Sequence, residues 1–335
     1  MRSNMPNEVA AGKSEDAVVG PSKSSESASL GRAQEALTEL AVLRGCPVIV
    51  IDSVIDDDMA RTLYLCLRFL GRVDRLHILL SSGGGSIAIA RKVLRLLHEY
   101  SSSYSVALPF RAASAGTIIC LGASEIYMGP MSELSPIDPQ IGSSQLASGS
   151  GSVAAAEVRG FRDMVTGWFH LRRKRDRLRI VSLLGKQIFA PTLGGLYRAE
   201  QFSFQTATLA LKHQFPGAHQ RRLERVASSL VMGQFAHDLP ITIHEAKQIG
   251  LNIVRLSEEE ESLNWHLWED CQRALAPVHG LRVFDGAGVG VILAEDFSAL
   301  RRQFWAKAAD GSSESFIRWQ TVSAHGEPPN MFDEV

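Results

Sequence analysis

The chain has 335 residues, of which 45% are hydrophobic and 21% are charged. This composition is typical of a folded protein with a sizeable core, and it excludes a collagen-like or largely disordered chain. Lysine and arginine number 35 against 36 aspartate and glutamate, so the net charge of -1 offers no basic footprint for nucleic acid. No apolar run reaches the roughly 18 to 20 residues that a membrane-spanning helix requires, so no membrane span is predicted.

The cysteines and the first residues bear on the cellular compartment. Cys46, Cys66, Cys120 and Cys271 are far apart and form neither a CxxC pair nor a zinc-ligand spacing, so we predict free thiols and no metal site. The first 32 residues contain acidic side chains and lack a continuous apolar segment, which does not fit a signal peptide. The sequence therefore predicts a cytoplasmic protein.

Strands and helices alternate along the first part of the chain. Short runs rich in β-branched residues predict strands, and apolar residues three and four apart predict helices. The predicted order is helix 33–42, strand 46–52, helix 56–70, strand 76–80, helix 86–100 and strand 105–108. This alternation is typical of parallel strands joined by helical crossovers, so the predicted fold class is α/β with a parallel sheet.

The second half of the chain has mainly helical patterns. Glycine and serine dominate residues 142–152, which predicts a flexible loop. We predict a long helix over 153–184, a turn at 190–195, and helices over 199–214 and 219–233. Thr242 and Glu245 form a predicted capping box, and Gly250 is expected to end that helix.

The pattern divides the chain into three predicted parts. Residues 1–32 are expected to be a flexible N-terminal arm, and residues 33–256 the main domain. Residues 257–335, which include a strand-like run at 289–293, are expected to form a small C-terminal appendage. Its purpose does not follow from its sequence.

Two turns rich in small residues each follow a predicted strand. One is Ser-Ser-Gly-Gly-Gly-Ser at 81–86, and the other is Ala-Ala-Ser-Ala-Gly at 112–116. Small residues let the backbone turn sharply and present the Ser114 hydroxyl at the start of a helix. Amides in such turns can face an anionic oxygen, so the pair predicts an acyl-transfer site with an oxyanion hole. The simpler alternative is that tight packing at the turn requires a small residue at 114.

Four motifs, in this order, carry a resemblance to a known family. They are the glycine turn at 81–87, the serine turn at 112–116, the segment from Gly129 through Ser-Pro-Ile-Asp-Pro-Gln at 135–140, and the stretch 232–251. Together they closely resemble the bacterial serine dehydrogenase proteinase family, which is grouped with Clp-type proteases and signal peptide peptidase A. The resemblance covers about residues 45–255. It implies a Clp/crotonase-like spiral of ββα units with a helical second half.

The resemblance also implies residue roles. Ser114 is the expected nucleophile, the amides of Gly85 and Ala115 form the expected oxyanion hole, and Asp238 lies at the position of the triad's acid. No cofactor is implied. The implied substrate is a peptide or an unfolded protein, cleaved inside a homo-oligomer whose active sites face an enclosed space. A partner ATPase or a membrane protein that feeds the site is not identifiable from the sequence.

The chain departs from the family at the base. Where the Clp-type histidine is expected, this sequence has Ile137, beside Asp138, and the family's usual glycine is replaced by Ser135. His237, directly before Asp238, is the candidate base. Adjacent residues of an extended segment point to opposite faces, so the pair requires a turn in order to face one cleft. The other possibilities are a base elsewhere, such as Lys174 or His244, or no functional base.

Three functions compete at this stage. The first is a serine peptidase that acts through an acyl-enzyme on Ser114. The second is a catalytically inactive Clp-fold module for binding or assembly, which the missing histidine favours. The third is a crotonase-type acyl-CoA enzyme, which a nucleophilic serine at the turn disfavours. A dehydrogenase has no support, because the glycine turn lacks the GxGxxG spacing of a dinucleotide site.

Overall fold

The structure is a computed structural model, and it describes residues 23–141, 153–171, 173–188, 190–233, 240–275, 290–307 and 313–321. Its helices are α1 (Lys23–Arg44), α2 (Asp57–Leu70), α3 (Ile87–Tyr100), α4 (Ala115–Leu121), α5 (Ala155–Gly167), α6 (Lys174–Gln187), α7 (Ala190–Gln214), α8 (Gln220–Val231), α9 (Ile243–Ile249) and α10 (Glu258–Leu275). Its strands are β1 (Val48–Asp52), β2 (Val73–Ser81), β3 (Ser101–Leu108), β4 (Arg111–Ala112), β5 (Ile126–Met128), β6 (Glu133–Leu134), β7 (Gln140–Ile141), β8 (Val153–Ala154), β9 (Ile253–Arg255), β10 (Gly290–Ala294), β11 (Phe297–Lys307) and β12 (Ser313–Thr321).

One eight-stranded sheet runs through the protein in the order β12-β11-β10-β1-β2-β3-β5-β9. The strands β1, β2, β3, β5 and β9 are parallel to one another, and Val50 aligns with Leu79 in the first pair. The strands β10, β11 and β12 extend this sheet in antiparallel pairing from β1. The predicted α/β class, with a parallel sheet and a helical second half, is confirmed.

Both faces of the central strands are covered, which explains why all five residues of β1 are buried. Ile49 and Ile51 belong to the apolar cluster that includes residues of α2, α3 and α4. Val48 and Val50 belong to the opposite cluster, with residues of α1 and α10. Alternate residues of a strand point to opposite faces, so one continuous apolar run supplies both clusters.

The helices before the two small-residue turns begin at side-chain caps. The Asp56 side chain accepts a hydrogen bond from the Met59 amide at 2.9 Å, and Ser86 accepts one from the Ile89 amide at 3.4 Å. Such caps satisfy amide groups that have no partner inside the helix. Thr242 and Glu245 likewise form the predicted capping box, and Gly250 ends α9 in a left-handed conformation.

The described terminal segments are packed against the main sheet. Helix α1 begins at Lys23, within the segment predicted as a flexible arm, and its Leu37 and Leu40 are fully buried in the cluster that α10 completes. The predicted appendage supplies α10 and the strands β10 to β12 of the main sheet. The division of the chain into parts at residues 32 and 256 stays a prediction. The structure adds that the described helices and strands on either side of these boundaries contact the main sheet.

Two predictions in the helical half are wrong. The long helix expected over 153–184 is two helices, α5 and α6, and the chain between them includes His170 at a φ of 53°. The turn expected at 190–195 lies inside the first turns of α7. Pro191 fits there because the first amides of a helix have no intrahelical partner, so a missing N–H costs nothing.

The described residues also bear on the predictions about membrane spans and cysteines. None of their helices is long and apolar enough to cross a bilayer. All four cysteines are free thiols, and Cys66, Cys120 and Cys271 are buried.

Candidate active site

The two small-residue turns lie side by side at the carboxyl ends of β2 and β3. The Ser82 amide donates to the Arg111 carbonyl at 2.8 Å, and the Ala113 amide donates to the Ser82 carbonyl at 2.9 Å. The chain after β2 is therefore bonded directly to the chain that leads into Ser114. This is the edge of a parallel sheet at which sites are commonly built, because the connecting loops converge there.

The glycine turn is bonded on its other edge to Ile55. The Ile55 amide donates to the Gly84 carbonyl at 2.9 Å, and the Ser86 amide donates to the Ile55 carbonyl at 2.9 Å. Gly85 has a φ of 143°, and a methyl group placed on it would lie 2.3 Å from the Ile55 carbonyl oxygen. Only glycine fits this position. On Gly84 a methyl group would lie 3.5 Å from the Ser114 Cβ, so this turn and Ser114 are in near contact.

The Ser82 hydroxyl fixes the shape of the glycine turn from within. Its Oγ donates to the Ser53 carbonyl at 2.7 Å and accepts from the Gly84 amide at 3.1 Å. Ser82 is buried, so the hydroxyl has no access to bulk water as an alternative partner. The sequence pattern did not single out this role, although a serine directly before three glycines was a visible signal.

Ser114 has an unusual backbone conformation for a residue with a side chain. Its φ is 44° and its ψ is -98°, and it directly precedes α4. Left-handed φ values are strained for residues other than glycine, and such strain clusters at functional sites. Ser114 is half-buried, and its hydroxyl makes no hydrogen bond with any residue that the structure describes. The predicted serine at a sharp strand-to-helix turn is thus present in the geometry.

Some backbone amides around Ser114 donate hydrogen bonds and others do not. The Ser114 amide donates to the Ser135 Oγ at 2.8 Å, and the Gly116 amide donates to the Ala113 carbonyl at 2.7 Å. Within the described residues, the amides of Ala115 and Gly85 donate no hydrogen bond. These two amides are the donors that the family resemblance implies for an oxyanion hole.

Ser135 and Thr117 form a buried support beneath this turn. The Thr117 Oγ1 lies 2.9 Å from the carbonyl oxygens of both Ala112 and Ser135. Ser135 is 2% exposed, and its amide donates to the Ala112 carbonyl at 3.2 Å. Sequence reasoning missed both roles, because residues 114 and 135 are brought together only by the pairing of β4 with β6.

The position where a Clp-type histidine was expected holds no titratable group. Ile137 is fully buried in the apolar cluster, and its amide donates to the Leu230 carbonyl at 2.9 Å. Its neighbour Asp138 is also buried and accepts a hydrogen bond at Oδ1 from the Ala156 amide at 3.0 Å. Asp138 therefore tethers the start of α5.

The remaining base candidates are placed as follows. His237 and Asp238 lie outside the described residues. Lys174 is exposed at the start of α6, and His244 is exposed on α9 with its Nε2 2.9 Å from the Gln248 Nε2. Neither Lys174 nor His244 hydrogen-bonds with Ser114.

The segments on both sides of residues 234–239 are tied to the chain next to Ser114. Ile241 and Leu134 exchange two backbone hydrogen bonds, of 2.8 and 3.0 Å. On the other side, the Leu230 carbonyl accepts from the Ile137 amide. Both anchors are on the stretch 134–137, whose Ser135 contacts the Ser114 amide.

Two buried titratable groups lie on the parallel strands β1 and β2. Burial raises the pKa of Asp52, at the end of β1, to about 6, although hydrogen bonds with Ser81, Gln272 and Trp268 oppose the shift. Burial also lowers the pKa of His77 to about 3, with a smaller contribution from the charge of Arg44. The His77 Nδ1 lies 2.8 Å from the Ser105 Oγ. His77 is thus held neutral within the sheet.

The fold and the site define an α/β protein in which a strained, half-buried serine contacts a glycine turn at the carboxyl edge of a parallel sheet. Residues 23–163 match the family of ClpP-like SDH-type serine proteinases. This match confirms the predicted resemblance over these residues, which include both turns, Ser114 and Ser135.

The similar proteins are distant. Two uncharacterized proteins of Methanocaldococcus jannaschii are 25% identical over 53% of this chain and 23% identical over 66% of it. The alignments span 53% and 63% of the lengths of those relatives. Among solved structures, ClpP1 from Listeria monocytogenes is 16% identical with a TM-score of 0.34, and covers 66% of this chain and 97% of its own. A mutant of that ClpP1 is 13% identical with a TM-score of 0.33, and covers 69% of this chain and 98% of its own.

Proposed function

We propose that the protein is a serine peptidase that hydrolyses peptide bonds through an acyl-enzyme on Ser114. The observation that carries this proposal is the left-handed turn at Ser114, in near contact with a glycine turn. A serine hydroxyl that bonds to no described residue, together with two amides of the same turns that donate to none, supplies the groups that acyl transfer needs. The match of residues 23–163 to a serine proteinase family supports the same chemistry.

In the proposed reaction, the Ser114 Oγ attacks the carbonyl carbon of the scissile peptide bond while a base takes the hydroxyl proton. The amides of Gly85 and Ala115 donate to the oxygen that becomes negatively charged. The protonated base then gives its proton to the leaving amine, and water releases the acyl group by the reverse sequence.

The proposed base is His237, with Asp238 as the acid of the site. Support comes from the anchors at Leu230 and Ile241, which tie both flanks of residues 234–239 to the stretch that contacts Ser114. His237 is four positions before Ile241, and four residues reach at most about 14 Å when extended. Lys174 and His244 are less favoured, because both are exposed on helix surfaces.

An enclosed homo-oligomer and a peptide or unfolded protein substrate complete the proposal. Large apolar side chains are exposed on the described part of the helical half, including Trp168 at 79% and Val181 at 64%. Exposed apolar surface of this kind marks contact sites. The free thiols fit a reducing compartment such as the cytoplasm.

A second candidate is a catalytically inactive module that uses the fold for binding or assembly. One observation favours it: the expected histidine position is occupied by the buried Ile137. Under this alternative the Ser114 turn would be a packing feature without nucleophilic character.

Labelling with a fluorophosphonate, read by intact mass, separates the two candidates. In this reaction the Ser114 oxygen bonds to phosphorus and fluoride leaves. We expect one adduct on the wild type, none on Ser114→Ala, slow labelling of His237→Ala and unchanged labelling of His244→Ala. A folded wild-type protein that takes no label, or a Ser114→Ala variant that still does, would contradict the peptidase proposal.

A further inference from the structure

The backbone at Ser114 requires a restraint. Its φ of 44° and ψ of -98° lie outside the regions that residues with a Cβ prefer. A strained conformation persists only where the surroundings over-determine it. The candidate restraints are therefore the groups bonded to the peptide unit that joins Ala113 to Ser114.

The Ser135 hydroxyl is bonded to this peptide unit. Its Oγ accepts the Ser114 N–H at 2.8 Å and donates its own proton to the Pro136 carbonyl at 3.1 Å. Because Ser135 is 2% exposed, water does not compete for either bond. The hydroxyl thus donates to the Pro136 carbonyl and accepts from the Ser114 amide, so it acts as donor and acceptor at the same time.

Ser135 is itself held on both sides of the turn. Its amide donates to the Ala112 carbonyl at 3.2 Å, and the Thr117 Oγ1 lies 2.9 Å from its carbonyl oxygen. Ala112 directly precedes the serine turn, and Thr117 is on the first turn of α4. The Oγ of Ser135 is consequently fixed relative to the segment it restrains.

We propose that Ser135 is a positioning residue for the Ser114 nucleophile, an inference that rests on the proposed peptidase function. Its Oγ holds the Ala113–Ser114 peptide plane, which directs the Cα–Cβ bond of Ser114 and turns the next amide, that of Ala115, toward the substrate. The same bond removes the Ser114 N–H from the set of oxyanion donors. Ser135 touches no reacting atom and acts only through the backbone of Ser114.

The test compares Ser135→Ala with Ser132→Ala. Ser132 is a matched control, since it is a buried serine three residues earlier whose Oγ bonds the Gly129 amide and the Leu108 carbonyl rather than Ser114. Two quantities are measured in the full chain: the second-order rate constant of fluorophosphonate labelling per folded molecule, and hydrogen exchange at the Ser114 amide. Ser135→Thr, which retains the acceptor oxygen, is the rescue variant.

We expect labelling of Ser135→Ala to be about ten- to a hundredfold slower than wild type, since a small misplacement of reacting groups is enough for such losses. Ser132→Ala should label at the wild-type rate, although it should lower the melting temperature about as much as Ser135→Ala does. The Ser114 amide should exchange slowly in the wild type and in Ser132→Ala, and rapidly in Ser135→Ala. Ser135→Thr should recover most of the labelling rate.

Three results would overturn the inference, each in a recognisable way. Equal labelling of Ser135→Ala and wild type would remove the positioning role and leave the peptidase proposal intact. Rapid exchange of the wild-type Ser114 amide would show that its hydrogen bond to Ser135 is not maintained. This measurement uses the wild type alone, so it holds even if a variant fails to fold. A folded wild type that takes no label would reject the proposed function, and the positioning role with it.

Discussion

The parallel half of the chain, residues 48–135, and its helical half, residues 155–233, differ in the burial and bonding of their side chains. In the parallel half, the buried hydroxyls of Ser82, Thr117 and Ser132 each bond backbone groups, and the apolar side chains of β1 are covered on both faces. In the helical half, Phe169 and Leu178 are more than half exposed. These buried groups of the first region have their partners inside the chain, whereas these exposed side chains of the second present apolar surface that the described residues of one chain do not cover. Substitutions of the buried groups should therefore have strong effects, and substitutions of the exposed side chains weak ones.

The largest combined effect on stability and labelling is expected for Gly85→Ala. A methyl group at this position meets the Ile55 carbonyl at 2.3 Å and requires a φ that alanine avoids. We expect the free energy of unfolding to fall by about 3 kcal/mol. Displacing one oxyanion donor should also slow labelling of Ser114 about a hundredfold or more. Urea unfolding and the labelling rate measure the two effects.

Gly83→Ala is the matched control for that substitution. Gly83 is exposed, and a methyl group on it meets nothing within 4 Å. We expect near wild-type stability and labelling. Comparable losses in both variants would show that the turn tolerates no side chain for a reason other than the contact with Ile55.

A smaller loss is expected for Ser82→Ala. Removal of the hydroxyl leaves the Ser53 carbonyl and the Gly84 amide without this buried partner. Buried polar groups left unpaired cost about 1 to 3 kcal/mol, and denaturant unfolding measures this difference. Ser86→Ala, which removes an exposed helix cap, should cost about 1 kcal/mol or less. A Ser86→Ala loss that equals the Ser82→Ala loss would contradict the account of the glycine turn.

The buried His77 predicts a pH dependence of stability. Its pKa is lowered to about 3 in the folded protein, so the unfolded chain takes up the proton first as the pH falls below about 6.5. The stabilisation by His77 is therefore complete above that pH and is lost as the pH falls toward 3. Between pH 6 and 4, wild type should lose about 1.4 kcal/mol per pH unit more than His77→Gln does. Parallel stability curves for the two proteins would show that His77 is accessible to protons in the fold.

The smallest effect is expected on the exposed face of α6. Leu178→Ala should change the free energy of unfolding of the single chain by no more than about 0.5 kcal/mol, because Leu178 is 63% exposed. Its partner variant is Leu79→Ala in the fully buried part of β2, which should cost about 2 to 5 kcal/mol. The two values are measured at a protein concentration at which sedimentation finds a monomer. A large loss for Leu178→Ala there would mean that α6 is packed within the chain.

The sequence predicted the features that depend on neighbouring residues. The helix starts near residues 56 and 86, the capping box at Thr242 and the turn at Ser114 are each specified by a few consecutive residues, and the structure contains them. The parallel order of the first strands followed from the alternation of strand and helix patterns.

Features that depend on distant contacts did not follow from the sequence. The bond from the Ser114 amide to Ser135 joins residues that are 21 positions apart, and no local pattern marks it. The antiparallel addition of β10 to β1 joins segments at opposite ends of the chain. The break between α5 and α6 was missed although Gly167 ends α5, because a single glycine inside a helical pattern is also tolerated and no proline follows it in residues 168–173.

The most direct test of the central claim is a crystal structure of the protein after reaction with a fluorophosphonate. The account predicts a covalent bond from the Ser114 Oγ to phosphorus. It also predicts that the phosphonyl oxygen lies about 2.7 to 3.1 Å from the amide nitrogens of both Gly85 and Ala115. An adduct on another residue, or an oxygen on Ser114 that faces solvent and away from both amides, would contradict it.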